Sequence, residues 1–117
     1  MSLRLHDTAT RSVRDFVPLE QARIPVLDRG FIFGDGIYEV VPVYARRPFR
    51  WPQHLARLKR SLAKVRIPNP HSRDGWLALA RELVATQPAD DQMVYIEITR
   101  GVALRDHVMP PDVEPTV

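Results

Sequence analysis

Hydrophobic and polar residues alternate from Gln92 to Arg100, and this period of two predicts a β-strand. One face of the strand carries aliphatic residues and the other carries mixed ones: Val94, Ile96 and Ile98 against Met93, Tyr95, Glu97 and Thr99. A second β-rich run covers Gly36–Tyr44. Pro42 lies inside this run and has no N–H to donate, which predicts an edge strand or a bulge.

Two other stretches repeat their apolar residues at helical spacing. The first runs from Pro52 to about Arg66 and places four residues on one stripe: Leu55, Leu58, Leu62 and Val65. The neighbouring strip of the same helix carries His54, Arg57 and Ser61. Prolines within 67–70 break this helix, and Ser72 is placed to cap a second helix over residues 73–86. The core-facing residues of that second helix are Trp76, Leu79, Ala80 and Leu83.

The connecting segments complete the fold prediction. Residues 2–16 predict a β-hairpin with its turn near Asp7–Thr10. Ala45–Pro48 predicts a turn after which Phe49–Trp51 returns as a hairpin partner, and residues 102–112 predict a loop. The order hairpin, strand, helix, helix, strand predicts a single α+β domain with an antiparallel sheet.

Composition narrows the classes of function. The chain has 117 residues and no cysteine, which excludes disulfides, thiol nucleophiles and cysteine-ligated metals. The spacing of its histidines and carboxylates indicates no metal site. No apolar run reaches the roughly 20 residues that span a membrane. The first residues lack the apolar core of a signal peptide. We therefore expect a cytoplasmic protein that does not enter a membrane.

The charge balance is basic, with a net charge of +3 and a pI of about 9.8. A helix face formed by Arg57, Arg60 and Lys64 is compatible with a small nucleic-acid-binding module. No aromatic pattern typical of RNA-binding domains accompanies that face, so nucleic acid is the less favoured partner. A purely structural or dimerisation module is a further alternative.

The segment with the highest density of candidate functional residues is 28–44, which reads DRGFIFGDGIYEVVPVY. Three glycines and two aspartates crowd its first nine residues, a composition that permits sharp turns and close backbone approach. Asp28 and Arg29 are expected to shape the turn through local hydrogen bonds. Tyr38 and Glu39 follow on the strand, so their side chains point to opposite faces of the sheet. We expect Glu39 to meet a cationic partner below the sheet.

This segment resembles the signature of fold-type IV enzymes that depend on pyridoxal 5′-phosphate, and most closely that of D-amino-acid transaminases. The motifs HLARLKRSL, YIEITRG and LRDH follow in the family's order between about Phe16 and Val117. The resemblance implies the small N-terminal domain of that fold, an antiparallel sheet with two helices on one side. It divides the chain into a hairpin at 1–19, a transaminase-like domain at 20–110 and the start of an interdomain linker at 111–117.

The resemblance also implies roles for four residues. Arg57 would hold the cofactor phosphate, because an arginine at this point of the HLARL-like helix does so in the family. Tyr38, Arg105 and His107 would trap the α-carboxylate of an amino acid or a 2-oxo acid. The family loop that carries the Arg-x-His pair reaches the neighbouring subunit's site, which implies a homodimer. A branched-chain transaminase or an aminodeoxychorismate lyase relative remains an alternative.

The Schiff-base lysine of the family has no counterpart here. The only lysines are Lys59 and Lys64, and neither matches the family position, which belongs to a C-terminal domain missing from this sequence. We therefore expect no catalytic residue in this chain and no activity from the chain alone. Residues 1–17 also resemble the opening of bacterial cysteinyl-tRNA synthetases, but the zinc-ligating cysteines and the HxGH motif of those enzymes do not follow.

Overall fold

A computed structural model describes residues 4–7, 12–15 and 23–117. The first strands, β1 (Arg4–Asp7) and β2 (Ser12–Asp15), pair antiparallel with Arg4 opposite Asp15, which confirms the two arms of the predicted hairpin. The predicted turn near residues 8–10 and the FVPL stretch at 16–19 lie outside the described residues, as does most of the synthetase-like opening.

The main sheet has three antiparallel strands in the order β4-β3-β5. Strand β3 (Gly36–Tyr44) pairs with β5 (Gln92–Thr99) in one continuous register that runs from Gly36 opposite Thr99 to Val43 opposite Gln92. The alternation predicted for β5 is confirmed, since Val94, Ile96 and Ile98 are buried. Both strands therefore send every second side chain into one core and leave the others on an open face.

The predicted return strand at Phe49–Trp51 is wrong in its position. Strand β4 is Arg47–Pro48, and helix α2 already begins at Trp51. The turn is shorter than predicted because Ala45 and Arg46 both adopt positive φ angles, of 46° and 61°. Two consecutive residues with positive φ make a two-residue hairpin turn, so the return strand starts immediately afterwards.

Pro42 terminates the pairing between β3 and β4. Its carbonyl accepts a hydrogen bond from the backbone N–H of Phe49 at 2.7 Å, but proline has no N–H with which to return a second one. Pairing with β5 continues past Pro42 to Val43 without a bulge. Among the described residues, β3 therefore has β5 as its only strand neighbour over Gly36–Val41, which makes this part of β3 an edge.

Two helices cover one face of the sheet, as expected. Helix α2 (Trp51–Val65) buries Leu58 and Leu62 on its predicted stripe. Helix α3 (Arg73–Thr86) begins where the Ser72 hydroxyl accepts a hydrogen bond from the N–H of Gly75 at 3.1 Å. Trp51, Trp76, Ala80 and Val84 complete the helical side of the core, which packs against Val41, Val43 and the aliphatic residues of β5.

The glycine-rich segment contains a short helix, α1 (Arg29–Phe33), that the sequence pattern did not predict. The Asp28 carboxylate starts the helix by accepting a hydrogen bond from the N–H of Gly30 at 2.8 Å. Gly34 ends it with a φ of 65°, a conformation that glycine adopts without steric cost. Asp28 also accepts a hydrogen bond from the Thr116 hydroxyl at 2.7 Å, so it joins α1 to the last described residues.

A buried cluster of charges connects this segment to the rest of the domain. The Asp35 carboxylate accepts hydrogen bonds from Arg29 at 2.8 Å and from Arg100 at 2.7 and 3.0 Å. The other guanidinium hydrogens of Arg100 reach the carbonyls of Arg66 and Val65 at the end of α2. Both arginines are buried, at 5% and 6% exposure.

The two arginines favour the charged form of Asp35. Burial alone raises the pKa of a carboxyl group, but the hydrogen bonds and charges of Arg100 and Arg29 outweigh burial and leave the pKa of Asp35 below its usual value. The carboxylate therefore stays ionised and keeps both arginines in place.

Replacing Arg100 with methionine tests the importance of this cluster. The variant leaves Asp35 with one cationic partner and removes the donors for two carbonyl groups at the end of α2. Removing one partner of a buried ion pair is expected to lower the free energy of unfolding by about 3–5 kcal/mol, measured by urea denaturation. The matched control is Arg60→Met on the exposed side of α2, which should change stability by less than about 0.5 kcal/mol. Equal losses in the two variants would contradict the assignment.

Candidate functional site

The buried face of β3 carries an acidic side chain, Glu39, that meets two basic residues of α2. Glu39 is 3% exposed. Its carboxylate accepts a hydrogen bond from Nε of Arg57 at 2.8 Å, and the Nη2 group of Arg57 contacts the other carboxylate oxygen. Nδ1 of His54 lies 2.8 Å from the same oxygen that Nη2 contacts. His54 and Arg57 are three residues apart on one helix, so both reach the same carboxylate.

The pairing shifts both ionisation equilibria. Burial acts to raise the pKa of Glu39, but the hydrogen bonds and charges of Arg57 and His54 prevail and lower it below its usual value. The hydrogen bond and charge of Glu39 raise the pKa of Arg57 in turn. The predicted cationic partner of Glu39 is therefore confirmed as Arg57, and His54 is a second hydrogen-bonding partner of the same carboxylate.

Arg57 keeps part of its guanidinium open to an anion. Its side chain is 59% exposed although one edge binds Glu39. Nη1 makes no hydrogen bond with any described residue, so it is open to an external acceptor. An arginine oriented along one edge and open on the other is suited to a phosphate group, whose oxygens accept charge-assisted hydrogen bonds. The donor chemistry at this position fits the phosphate of the implied cofactor.

Tyr38 lies on the other side of the same strand. It is on the open face of the sheet, 66% exposed, and its ring stacks on that of Tyr95 with 5.6 Å between ring centroids and 12° between planes. Arg57 lies on the helix-covered face through its bond to Glu39. The structure therefore separates Tyr38 from Arg57 by the thickness of the sheet and provides no direct contact between them.

Arg105 and His107 come together around a third residue, Phe33. The Arg105 guanidinium lies 5.7 Å from the centre of the Phe33 ring, and the His107 ring centroid lies 5.6 Å from it. Arg29 holds the loop between them, since its Nη1 donates to the carbonyl of Asp106 at 2.8 Å. The Arg-x-His pair is thus presented on an exposed loop anchored to α1. Within the described residues, no contact joins this pair to Tyr38.

Two of the concavities formed by described residues lie away from the four predicted site residues. One of about 440 Å³ lies between the first turns of α2 and α3, beside Lys59, Arg73 and Trp76. The other, of about 370 Å³, lies beside α1 and is lined by Glu97 and Thr99. Arg57, Tyr38, Arg105 and His107 line neither of these two concavities.

The structure adds residues that the sequence pattern did not single out. Arg29 and Arg100 were not predicted to have structural roles beyond a local turn, because a single arginine in a basic chain carries no signal of burial. Phe33 gave no signal either, because the sequence pattern predicted neither α1 nor a contact between Phe33 and the loop. The aspartate between two glycines, Asp35, was the one available hint of a buried charged partner.

Comparison with known proteins places these features in a family. The sequence profile of the family described as amino-transferase class IV matches residues 36–117. The chain belongs to this family. The match begins with β3 and includes Arg57 and the loop with Arg105 and His107.

Two curated relatives of this class IV chain share a name. A protein named D-alanine aminotransferase from Listeria monocytogenes is 42% identical over 82% of this chain. A second protein of that name, from Staphylococcus aureus, is 38% identical over 88% of it. These alignments cover 34% and 37% of the two relatives, so the chain spans about a third of their length.

Solved structures confirm the fold. A branched-chain amino acid aminotransferase from Escherichia coli matches 98% of this chain and 38% of its own, with a TM-score of 0.78 at 18% identity. A 4-amino-4-deoxychorismate lyase from Pseudomonas aeruginosa matches 80% of this chain and 33% of its own, with a TM-score of 0.68 at 30% identity. The predicted α+β class with an antiparallel sheet is therefore confirmed.

Two other kinds of feature are absent from the part of the chain that the structure describes. None of its helices combines the length and the apolar character required to cross a bilayer. The same residues contain no group of three or more histidine, cysteine or carboxylate side chains placed to share a metal ion.

The pairing of Glu39 makes a pH-dependent prediction. Because its pKa is lowered in the folded chain, the charged carboxylate stabilises the fold above its ordinary pKa of about 4.5, and this contribution disappears as the pH falls through the lowered value. We expect Glu39→Gln to lower the free energy of unfolding by about 2 kcal/mol at pH 7. The difference from the parent chain should become smaller as the pH is lowered from 7 to 3, as followed by urea denaturation.

The matched control for this prediction is Glu82→Gln, the same change at an exposed carboxylate of α3. It should alter stability by less than about 0.5 kcal/mol at both pH values. A loss for Glu39→Gln that is as large at pH 3 as at pH 7 would show that ionisation of Glu39 is not the cause.

Proposed function

We propose that this chain is the N-terminal domain of a D-amino-acid aminotransferase whose full-length form moves an amino group between D-alanine-like amino acids and 2-oxo acids. The observation that carries this proposal is the 38–42% identity to D-alanine aminotransferases, together with the presence of Tyr38, Arg105 and His107. The branched-chain and lyase structures are similar at 18% and 30% identity, which supports them less as guides to substrate.

The cofactor of this proposal is pyridoxal 5′-phosphate, with Arg57 as the phosphate ligand. The bound cofactor supplies an electron sink for the α-carbon of the amino acid. Arg57 contributes a fixed positive charge and an open guanidinium edge, while Glu39 and His54 set its orientation from the other edge. Phosphate binding by this arginine is then an end-on contact through the edge that Glu39 leaves free.

Tyr38, Arg105 and His107 bind the substrate α-carboxylate in this proposal. A carboxylate is held well by an arginine together with further donors such as a phenol and an imidazole. Tyr38 lies on the open sheet face, whereas the other two residues surround Phe33 on the loop. A homodimer brings the loop of one subunit to the sheet face of its partner. The exposed apolar residues Leu104 and Val108 on that loop support such a contact.

The same proposal places the amine that reacts with the cofactor in a C-terminal domain outside this sequence. Lys59 and Lys64 are on the exposed side of α2, where their amines stay in contact with water. Such a position lacks the desolvation that activates a lysine as a nucleophile. The interdomain linker beginning at 111 and the cytoplasmic location stay predictions.

Arg105→Ala in the full-length form tests the carboxylate trap. The change removes a charge-assisted partner of the substrate carboxylate, so we expect the second-order rate constant kcat/KM for D-alanine to fall by the equivalent of about 2–5 kcal/mol. The spectrum of the bound cofactor should not change, because Arg105 does not contact it in this proposal. The control Arg60→Ala on α2 should leave both quantities as they are. An unchanged kcat/KM in Arg105→Ala would remove this residue from the site.

Replacing both lysines tests where the reactive amine lies. We expect the full-length Lys59→Arg, Lys64→Arg double variant to keep its rate with D-alanine within about twofold, since arginine preserves the charge of α2 but supplies no nucleophilic amine. Steady-state assays of amino transfer measure this directly. A loss of several orders of magnitude in a folded double variant would place the amine in this domain and refute the proposal of a second domain.

A further inference from the structure

Phe33 is the last residue of α1 and contacts both members of the Arg-x-His pair. The guanidinium carbon of Arg105 lies 5.7 Å from the centre of the Phe33 ring, and the ring of His107 is centred 5.6 Å from it with a tilt of 48°. A cation within about 6 Å of a ring centre is attracted by the electrons of the ring face. One phenyl ring therefore links two side chains that would otherwise move independently.

The ring of Phe33 is itself held by a buried residue of the same helix. The guanidinium carbon of Arg29 lies 4.7 Å from the ring centre. Arg29 is buried and donates through Nε to the carboxylate of Asp35. Its Nη1 donates to the carbonyl of Asp106, the middle residue of the Arg-x-His motif, at 2.8 Å. The same arginine therefore fixes both the ring and the backbone of the loop that lies against it.

The side chains that the ring restrains are otherwise open to solvent. All residues from Leu104 to Met109 are exposed. Among the residues that the structure describes, no carboxylate forms an ion pair with Arg105, whereas the charge of Arg29 is already balanced by Asp35. A long side chain loses rotamer freedom when it binds a ligand, and this loss weakens binding. The contact with Phe33 restrains Arg105 before a ligand arrives and leaves its positive charge available to an anion.

We propose that Phe33 is a positioning residue of the carboxylate trap, and that its ring holds Arg105 and His107 in the arrangement that accepts the α-carboxylate. This inference rests on the proposed function, since it takes those two residues as ligands of that group. A carboxylate that binds two donors at once requires them at a fixed separation. Because Phe33 sets this separation in the folded chain, less ordering remains for the binding step. Phe33 acts through its two neighbours and needs no contact with the substrate.

The test replaces Phe33 in the full-length form and measures amino transfer from D-alanine at a saturating 2-oxo acid. Phe33→Leu keeps an apolar side chain but removes the ring face. We expect KM for D-alanine to rise about tenfold, the factor that corresponds to about 1.4 kcal/mol. The value of kcat should stay within about twofold, because the trap holds the carboxylate equally in the ground state and in the transition state. Phe33→Tyr keeps the ring and should restore the parent KM.

The matched control is Phe49→Leu. Phe49 is also partly exposed and also has an arginine over its ring, with Arg50 at 5.8 Å, but it lies at the opposite end of β3 from α1. This variant should leave KM and kcat unchanged. Phe33→Leu is expected to fold, since Phe33 is half-buried and lies outside the hydrophobic core. If it does not fold, Phe33→Met replaces it with the same expected result.

A second measurement reports on the contact itself and needs no substrate. In the full-length form containing isotope-labelled histidine, the nuclear magnetic resonance signal of His107 is identified by its loss in His107→Gln. An aromatic ring shifts the signals of nearby nuclei, so the His107 signal should move in Phe33→Leu and stay in place in Phe49→Leu. A His107 signal that does not move in Phe33→Leu would overturn the contact between the two rings, whatever the rates show.

The outcomes separate this inference from the proposed function. If Arg105→Ala loses kcat/KM but Phe33→Leu keeps the parent KM, the positioning role is refuted while the proposed function stands. A lower kcat at unchanged KM in Phe33→Leu also refutes that role, because it indicates a smaller fraction of active protein and not a disordered trap. If neither variant changes the kinetics with D-alanine, the proposed carboxylate trap fails and the inference fails with it.

Discussion

The carboxylate of Asp35 accepts hydrogen bonds from two buried arginines, and three separate parts of the chain depend on that arrangement. Arg29 extends from α1 to the loop that carries Asp106, and Arg100 extends from the end of β5 to the last carbonyls of α2. A buried charge is costly unless it is paired and hydrogen-bonded on all sides, so the cluster tolerates few alternative geometries. The start of β3, the end of α2 and the exposed loop are consequently held in a common frame.

This frame determines how the site is presented. Glu39 directs Arg57 from beneath the sheet, while Tyr38 points away from it on the open face. The Arg105–His107 loop projects beside Phe33 instead of folding back over Tyr38. The residues assigned to the site in the proposed function therefore face different directions, and a complete site in that proposal needs surfaces from a second subunit and a second domain. Such a division agrees with a chain that spans about a third of its curated relatives.

The sequence predicts the regular elements well because their hydrophobic periods are clear. The alternation of β5, the stripe of Leu58 and Leu62 on α2 and the Ser72 cap are all found where they were expected. The position of β4 was wrong because no propensity argument predicts positive φ at Ala45 and Arg46.

The turn at Ala45 and Arg46 is stabilised by distant parts of the chain. The guanidinium of Arg46 donates to carbonyls at the end of α3, including that of Val84 at 3.0 Å, and the Asp91 carboxylate accepts from the N–H of Ala45 at 3.0 Å. Contacts so far apart in sequence leave no local signature. The same limit applies to the site, since the family motifs identify Arg57 and Arg105 but do not reveal that Glu39 or Phe33 orients them.

Tyr38 and Glu39 are adjacent in sequence yet serve opposite faces, and this has a consequence for how such domains can vary. Deleting or inserting one residue between Gly36 and Tyr38 exchanges the two faces, since side chains on a strand alternate with a period of two. The phenol would then point into the helices and the carboxylate would point out to solvent, so the Glu39–Arg57 ion pair and the Tyr38–Tyr95 stacking are lost in one step. Length changes in homologous chains are therefore expected in the loops that flank β3 and β5, and not within the strands themselves.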